Sequence, residues 1–202
     1  MKKKKIIIIG GGAAGFFCAA NLDETKFHVT ILEQNSDVLQ KVKISGGGRC
    51  NVSHACFDPK ELVQFYPRGN KELLSVFPKF QPGDTMEWFE NRGVSLKIEK
   101  DNRIFPESNS SQSIIDAMLH DVRNKNFEIR TKSVVLDIEK QENHYLVKTN
   151  SGDYIADKIV YTTGSSPKSL KILKNLGHQI VELVPSLFTF NIKNEALKDL
   201  MG

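Results

Sequence analysis

Apolar positions at the start of the chain come in two short runs with a small-residue stretch between them. Ile6-Ile7-Ile8-Ile9 is an unbroken β-branched run, and three glycines follow at once. Short β-branched runs bounded by turn residues are the pattern of a strand, and the small apolar residues from Ala13 to about Asp23 that come next fit a helix. Lys26-Phe27-His28-Val29-Thr30-Ile31-Leu32 then alternates like a second strand and ends on Glu33. The pattern predicts a β-α-β unit whose first connection is unusually rich in glycine.

Beyond Glu33 the periodicity lapses until three helical segments, Asp58 to Phe65, Asn70 to Phe77 and Gly83 to Arg92, with Asp58 and Asn70 as expected caps and Pro59 in a first turn. Trp88 and Phe89 on the last of these are expected in the core. A hairpin, Val94 to Glu99 with Ile104-Phe105 around Asp101-Asn102, precedes a helix from Ser110 to Asn124 and a further parallel strand from Phe127 to Arg130. Segments Ser133 to Lys140, His144 to Thr149 and Tyr154 to Ala156 alternate as an antiparallel meander, and Lys158 to Thr163 reads as a buried strand. Strands interleaved with helices give an α/β class.

Composition narrows the setting. In 202 residues, 40% are hydrophobic and 26% charged, and no apolar run approaches the ~20 residues that span a bilayer. The net charge of +4 falls to zero if Lys2 to Lys5 are set aside as a solvated tail, and no basic stripe interleaved with aromatics stands elsewhere, so neither nucleic acid nor membrane is expected as a partner. Three cysteines, Cys18, Cys50 and Cys56, lack framework spacing, which suits a reducing, cytoplasmic compartment. That weighs against reading the lysines and the apolar segment behind them as a secretory signal.

Gly10-x-Gly12-x-x-Gly15 carries the clearest chemistry. The spacing is that of a dinucleotide-binding turn: Gly10 for the tight turn, Gly12 for approach of backbone amides to a pyrophosphate, and Gly15 for close packing of helix on strand. Glu33, about 20 residues on, stands where a carboxylate accepts hydrogen bonds from ribose hydroxyls and repels a 2′-phosphate, which favours FAD or NAD over NADP. The polar block KISGGGRCNVSH has a backbone able to pass close to a flat or anionic ligand, with Ser45, Arg49 and Asn51 as donors. Cys50 has no Cys-x-x-Cys partner for redox work. A zinc site from Cys50, His54 and Cys56 lacks a fourth ligand, so no metal is expected. The other histidines offer no recognisable partners.

GGGAAG with Glu33, the block KISGGGRCNVSH, RIFPES, the meander, YTTG and LGHQI before PSLFTF together resemble one family across the chain. It is similar to the BaiN-like, aminoacetone oxidase-like (YhiN-type) FAD-dependent oxidoreductases. The resemblance implies a Rossmann-like FAD-binding domain of the two-dinucleotide-binding-domain flavoprotein type over 1–185. A helical insertion is expected at about 54–106 and a three-stranded meander at about 133–157, with a second domain beginning at 186–202. Carried over, Gly10, Gly12, Ala14 and Gly15 contact phosphate and Glu33 ribose. Lys41, Ser45, Gly46, Gly47, Gly48, Arg49, Cys50 and Asn51 serve the pyrophosphate and flavin side, Val135 meets the adenine through its backbone, and Thr163 and Gly164 close over the nucleotide.

The implied activity is FAD-dependent hydride or electron transfer on a small organic substrate, with NAD(P)H as a possible donor and Arg49 placed to stabilise a reduced flavin. Leu39-Gln40-Lys41 stands where many members carry Gly-Arg-Lys, and Thr162 replaces their usual alanine. Members run to about twice this length. The chain is therefore expected to hold FAD loosely, with a non-catalytic nucleotide-binding module as the alternative function. An adenosyl-cofactor methyltransferase would share the glycine turn but leaves SGGGRCN unexplained.

Overall fold

The structure, a computed structural model, describes residues 2–184. In chain order the elements are β1 (Lys4–Ile9), α1 (Ala13–Ala20), β2 (Phe27–Leu32), α2 (Gln40–Ile44), β3 (Ser53–His54), α3 (Pro59–Leu62), α4 (Asn70–Leu73), α5 (Pro82–Glu90), β4 (Leu96–Ile98), β5 (Arg103–Pro106) and α6 (Ser111–Asn124). They continue with β6 (Glu128–Arg130), β7 (Val135–Lys140), β8 (Tyr145–Thr149), β9 (Gly152–Ala156), β10 (Lys158–Tyr161) and α7 (Pro167–Asn175). Two compact units result, one from residues up to Val38 together with those from Asn126 onward, the other from Leu39 to Lys125. The expected start of a second domain at 186–202 and the PSLFTF segment lie outside the described residues.

The first unit is built on a parallel sheet of order β10-β1-β2-β6. Ile6 to Ile9 pair with Val29 to Leu32 at one edge and with Lys158 to Tyr161 at the other, and all four are buried although they alternate between the two faces, which is why an unbroken apolar run suits β1. Ile8, Val29 and Ile31 are fully buried. The antiparallel meander β7-β8-β9 contributes Ile138, Val147 and Ala156 to a cluster with Ile7, Ile9, Leu32 and Ile172. The parallel sheet and the meander are as the sequence pattern predicts.

Three local departures have physical causes. Helix α1 is a turn shorter than expected, because the Asn21 side chain donates to the Phe17 carbonyl and Asp23 accepts from the amide and hydroxyl of Thr25, turning the chain. Strand β10 is partly exposed rather than buried, since among the described residues it sits at the sheet edge, paired with β1 alone. Lys4 and Lys5 are strand residues, with the Lys4 amide on the Lys26 carbonyl and the Lys5 amide on Asp157, so only part of the lysine run is a tail.

In the second unit the antiparallel sheet β3-β5-β4 buries Ile104 and Phe105. Helix α6, capped by Ser110, buries Ile114, Ile115, Met118 and Val122 along one stripe. Trp88 and Phe89 are buried as expected, and Arg92 lies over the Trp88 ring at 3.7 Å while pairing with Asp121. Asp58 caps α3, but Gly69 rather than Asn70 precedes α4, which ends at Leu73. Ser75 bonds back to the Glu72 carbonyl, and Pro78 disfavours helical backbone before it. Strand β3 was not anticipated, having only two residues and no readable period.

Candidate nucleotide-binding site

The turn between β1 and α1 uses its glycines in three different ways. Gly10 has φ +109°, and a Cβ there would stand 2.5 Å from the Thr162 carbonyl oxygen, so only glycine fits. At Gly15 a Cβ would meet the Gly10 carbonyl oxygen at 2.2 Å, which is the close helix-on-strand packing expected of it. Gly12 is the reverse: its φ of −90° suits any residue, and a Cβ there would have nothing within 4 Å. The described fold does not need glycine at position 12, and none of the described residues fills the ground in front of it.

That open ground faces the start of α1. Ala13 and Ala14 are exposed, no side chain among the described residues caps the helix, and its first turn holds no acidic residue. Unpaired amides and the positive end of the helix dipole therefore face outward together, an environment suited to a phosphate.

Glu33, only 8% exposed, closes the same end of the sheet. Its Oε2 accepts the Gly11 N–H at 2.8 Å, and its Oε1 accepts from the Asn35 amide at 2.9 Å and from Asn35 Nδ2 at 2.8 Å. A carboxylate accepts about four hydrogen bonds, and three of these are filled among the described residues. Asn35 is the residue sequence reasoning missed, since an asparagine two positions past a strand carries no spacing signal.

Thr163 and Gly164 follow β10 and reach this region, the Thr163 amide nitrogen standing 3.1 Å from a Cβ built on Gly10. Gly164 has φ +63°. Val135 opens β7 beside a bulge, paired with Thr149 of β8, and its side chain packs against the unit's core. Ser133, two residues earlier, donates its amide to the Glu33 carbonyl at 2.8 Å. The structure thus brings Gly10, Gly12, Ala14, Gly15, Glu33 and Thr163 to the carboxyl ends of β1, β2 and β10, the end where open α/β sheets bind ligands.

Lys41 and Ser45 to Asn51 belong to the second unit. Lys41 is exposed on α2, and Ser45–Gly48 form a tight turn with Gly46, Gly47 and Gly48 at φ of 55°, 66° and 85°. A Cβ on Gly46 would stand 2.8 Å from the Asn51 nitrogen and 2.9 Å from the Phe105 ring, so packing alone demands glycine there. Ser45 donates its hydroxyl to the Val42 carbonyl. Arg49 pairs with Glu99 at 2.6 Å and stacks over Phe105 at 3.9 Å, which commits its charge within the unit.

The Arg49 partnership holds the Glu99 carboxyl below its ordinary range. Cys50 is buried at φ +62°, and burial pushes its thiol up, against a smaller opposing effect from Ser45. Asn51 is exposed. Among the described residues no group of three His, Cys, Asp or Glu side chains is placed to hold a metal ion. No helix among them is long and apolar enough to cross a membrane.

A family model described as the HI0933-like protein Rossmann domain matches residues 4–189, which takes in the turn, Glu33 and the whole parallel sheet. The chain belongs to this HI0933-like family. Among its curated relatives, a ribosomal RNA dihydrouridine synthase of Escherichia coli is 26% identical over 92% of this chain and 48% of its own length. A 3-dehydro-bile acid delta(4,6)-reductase of Clostridium scindens is 24% identical over 91% of the chain and 46% of its own. The HI0933-like chain therefore spans about half the length of these relatives.

Its fold is also that of the glycine oxidase from Geobacillus kaustophilus, with a TM-score of 0.54 at 12% identity over 87% of this chain and 59% of the oxidase. The likeness to the oxidase is one of fold, and the HI0933-like chain is a Rossmann-domain protein.

Proposed function

We propose that this chain binds FAD at the turn between β1 and α1 and forms the cofactor-holding part of an oxidoreductase that saturates a carbon–carbon double bond conjugated with a carbonyl, with a reduced nicotinamide nucleotide as electron donor. The observation that carries the reading is the open backbone at Gly12 beside the buried carboxylate of Glu33. The amides of Gly12 and Ala14 suit a pyrophosphate, and the remaining acceptor of Glu33 suits a ribose hydroxyl while repelling a 2′-phosphate. Thr163 and Gly164 are assigned to the nucleotide and the Val135 backbone to the adenine. For Lys41 and the Ser45 to Asn51 turn, a flavin-side role rests on the family resemblance alone. When bound, FAD supplies the two-electron chemistry that amino-acid side chains lack.

The substrate class follows from the relatives' names. Dihydrouridine is uridine with the ring double bond beside its carbonyl saturated, and a reductase of a 3-dehydro bile acid at delta(4,6) acts on double bonds in line with an oxo group. Both describe a conjugated enone. A small-molecule enone in the cytoplasm is the proposed substrate, and the same chemistry carried by RNA is the other source.

The test is to load the purified chain with FAD, desalt it and record its visible spectrum, then add NADH or NADPH without oxygen, followed by a steroid dienone or a uridine-containing RNA. A flavin band that stays, bleaches with the donor and returns with one enone supports the reading and identifies the source. A colourless protein that cannot be loaded overturns FAD binding. Flavin that stays but never bleaches favours a non-catalytic nucleotide-binding module.

A further inference from the structure

The Gly10–Gly11 peptide is gripped at both ends. Its carbonyl oxygen lies 3.0 Å from the Thr162 hydroxyl, which also stands 2.9 Å from the Ile9 carbonyl and shares its single hydrogen between the two. Its N–H, on Gly11, donates to Glu33 Oε2 at 2.8 Å. A trans peptide is planar with C=O and N–H pointing in opposite directions, so these two contacts hold the plane as a pair of clamps on one rod. Between two glycines that plane meets little resistance to rotation from neighbouring side chains, which makes outside restraint matter more here than elsewhere in the turn.

We propose that Thr162 is a positioning residue for the nucleotide site: its hydroxyl sets the Gly10–Gly11 peptide, which in turn aims the Glu33 carboxylate and the amides at the start of α1. The proposal rests on the FAD reading above for its ligand. The hydroxyl reaches the turn from 152 residues away in sequence, just past β10. Its own backbone is held independently, because the Thr162 amide donates to the Ile9 carbonyl at 2.8 Å, so removing the hydroxyl leaves the strand pairing intact.

The full chain without ligand is compared as wild type, Thr162→Val and Thr162→Ser by amide hydrogen exchange, and then by FAD titration. Valine keeps the branched shape without the donor, and serine keeps the donor. The expected result is exchange about tenfold faster at Gly11 and the first turn of α1 in Thr162→Val, with the β1, β2 and β10 ladders unchanged and serine close to wild type. FAD affinity should fall about five- to tenfold in Thr162→Val, and adding Thr162→Val to Glu33→Gln should weaken it no further.

Unchanged exchange at Gly11 would overturn the proposal. So would a uniform rise across the unit at unaltered FAD affinity, since the hydroxyl would then be an ordinary fold contact. A wild-type chain that takes up no FAD defeats the flavin reading instead, and the exchange comparison, which needs no ligand, still decides about Thr162.

Discussion

A methyl group added at Gly12 and one added at Gly15 would meet opposite surroundings, and that contrast separates binding from folding. Gly15→Ala drives a Cβ to 2.2 Å from a backbone oxygen, so the expected outcome is a loss of about 1–3 kcal/mol, read as a melting temperature several degrees lower. Gly12→Val has only open space to enter and is expected to melt like wild type while losing FAD, because its side chain fills the ground in front of the α1 amides. Cys50 gives a third expectation at this scale. Its thiol is buried and its proton held more tightly than usual, so iodoacetamide should label it far more slowly than an exposed thiol at neutral pH and catch up only in alkaline buffer. Fast labelling at neutral pH would revive the redox role that its isolated position argues against.

At the scale of elements, Arg49 links the glycine turn to the β4–β5 hairpin through Glu99 and Phe105. The pair lowers the folded-state pKa of Glu99, first through the hydrogen bond from Arg49. A carboxylate depressed in the folded state contributes stability above its unfolded value, ordinarily about 4.3, and loses it as pH falls through the folded value. The second unit should therefore weaken below about pH 4.5, and Glu99→Gln should flatten that acid limb while lowering stability at pH 7. Hydrogen exchange of β4 and β5 between pH 3 and 7, with and without the substitution, checks the sign.

Motif spacing marked Arg49 as a donor for a ligand, whereas the partner that occupies it lies 50 residues away, a distance no local pattern encodes. Gly46 was legible as a glycine position for the same reason that its cause was not, since the Phe105 ring it packs on is brought there by hairpin pairing.

For the whole molecule, the expectation is linkage between nucleotide and fold. If FAD binds only the folded chain, a concentration 100 times its dissociation constant adds about 2.7 kcal/mol, which for a chain of this size raises the melting temperature by roughly 5–10 °C. Riboflavin, which lacks the pyrophosphate and adenosine that the β1–α1 turn and Glu33 suit, should raise it by much less. Thermal scans with FAD, riboflavin and NADPH compare these directly. An equal shift with riboflavin would move the site away from the turn. The unit that carries the turn is assembled from both ends of the described chain, so this stabilisation would bear on contacts such as Thr162 on Gly10 as well as on local ones.

The sequence by itself determined the β-α-β start, the parallel strands, the meander and the positions of the turn glycines and Glu33, because burial and tight backbone geometry write themselves into short-range periodicity and glycine spacing. Tertiary structure alone decided what each residue does there. It made Gly12 open and Gly15 closed, gave Glu33 the Gly11 and Asn35 amides to hold, committed Arg49 to Glu99, and placed the Thr162 hydroxyl on the peptide it grips. Those assignments depend on pairing segments distant in the chain, and the direction of a side chain across such a pairing is set by register, which no local run of residues contains.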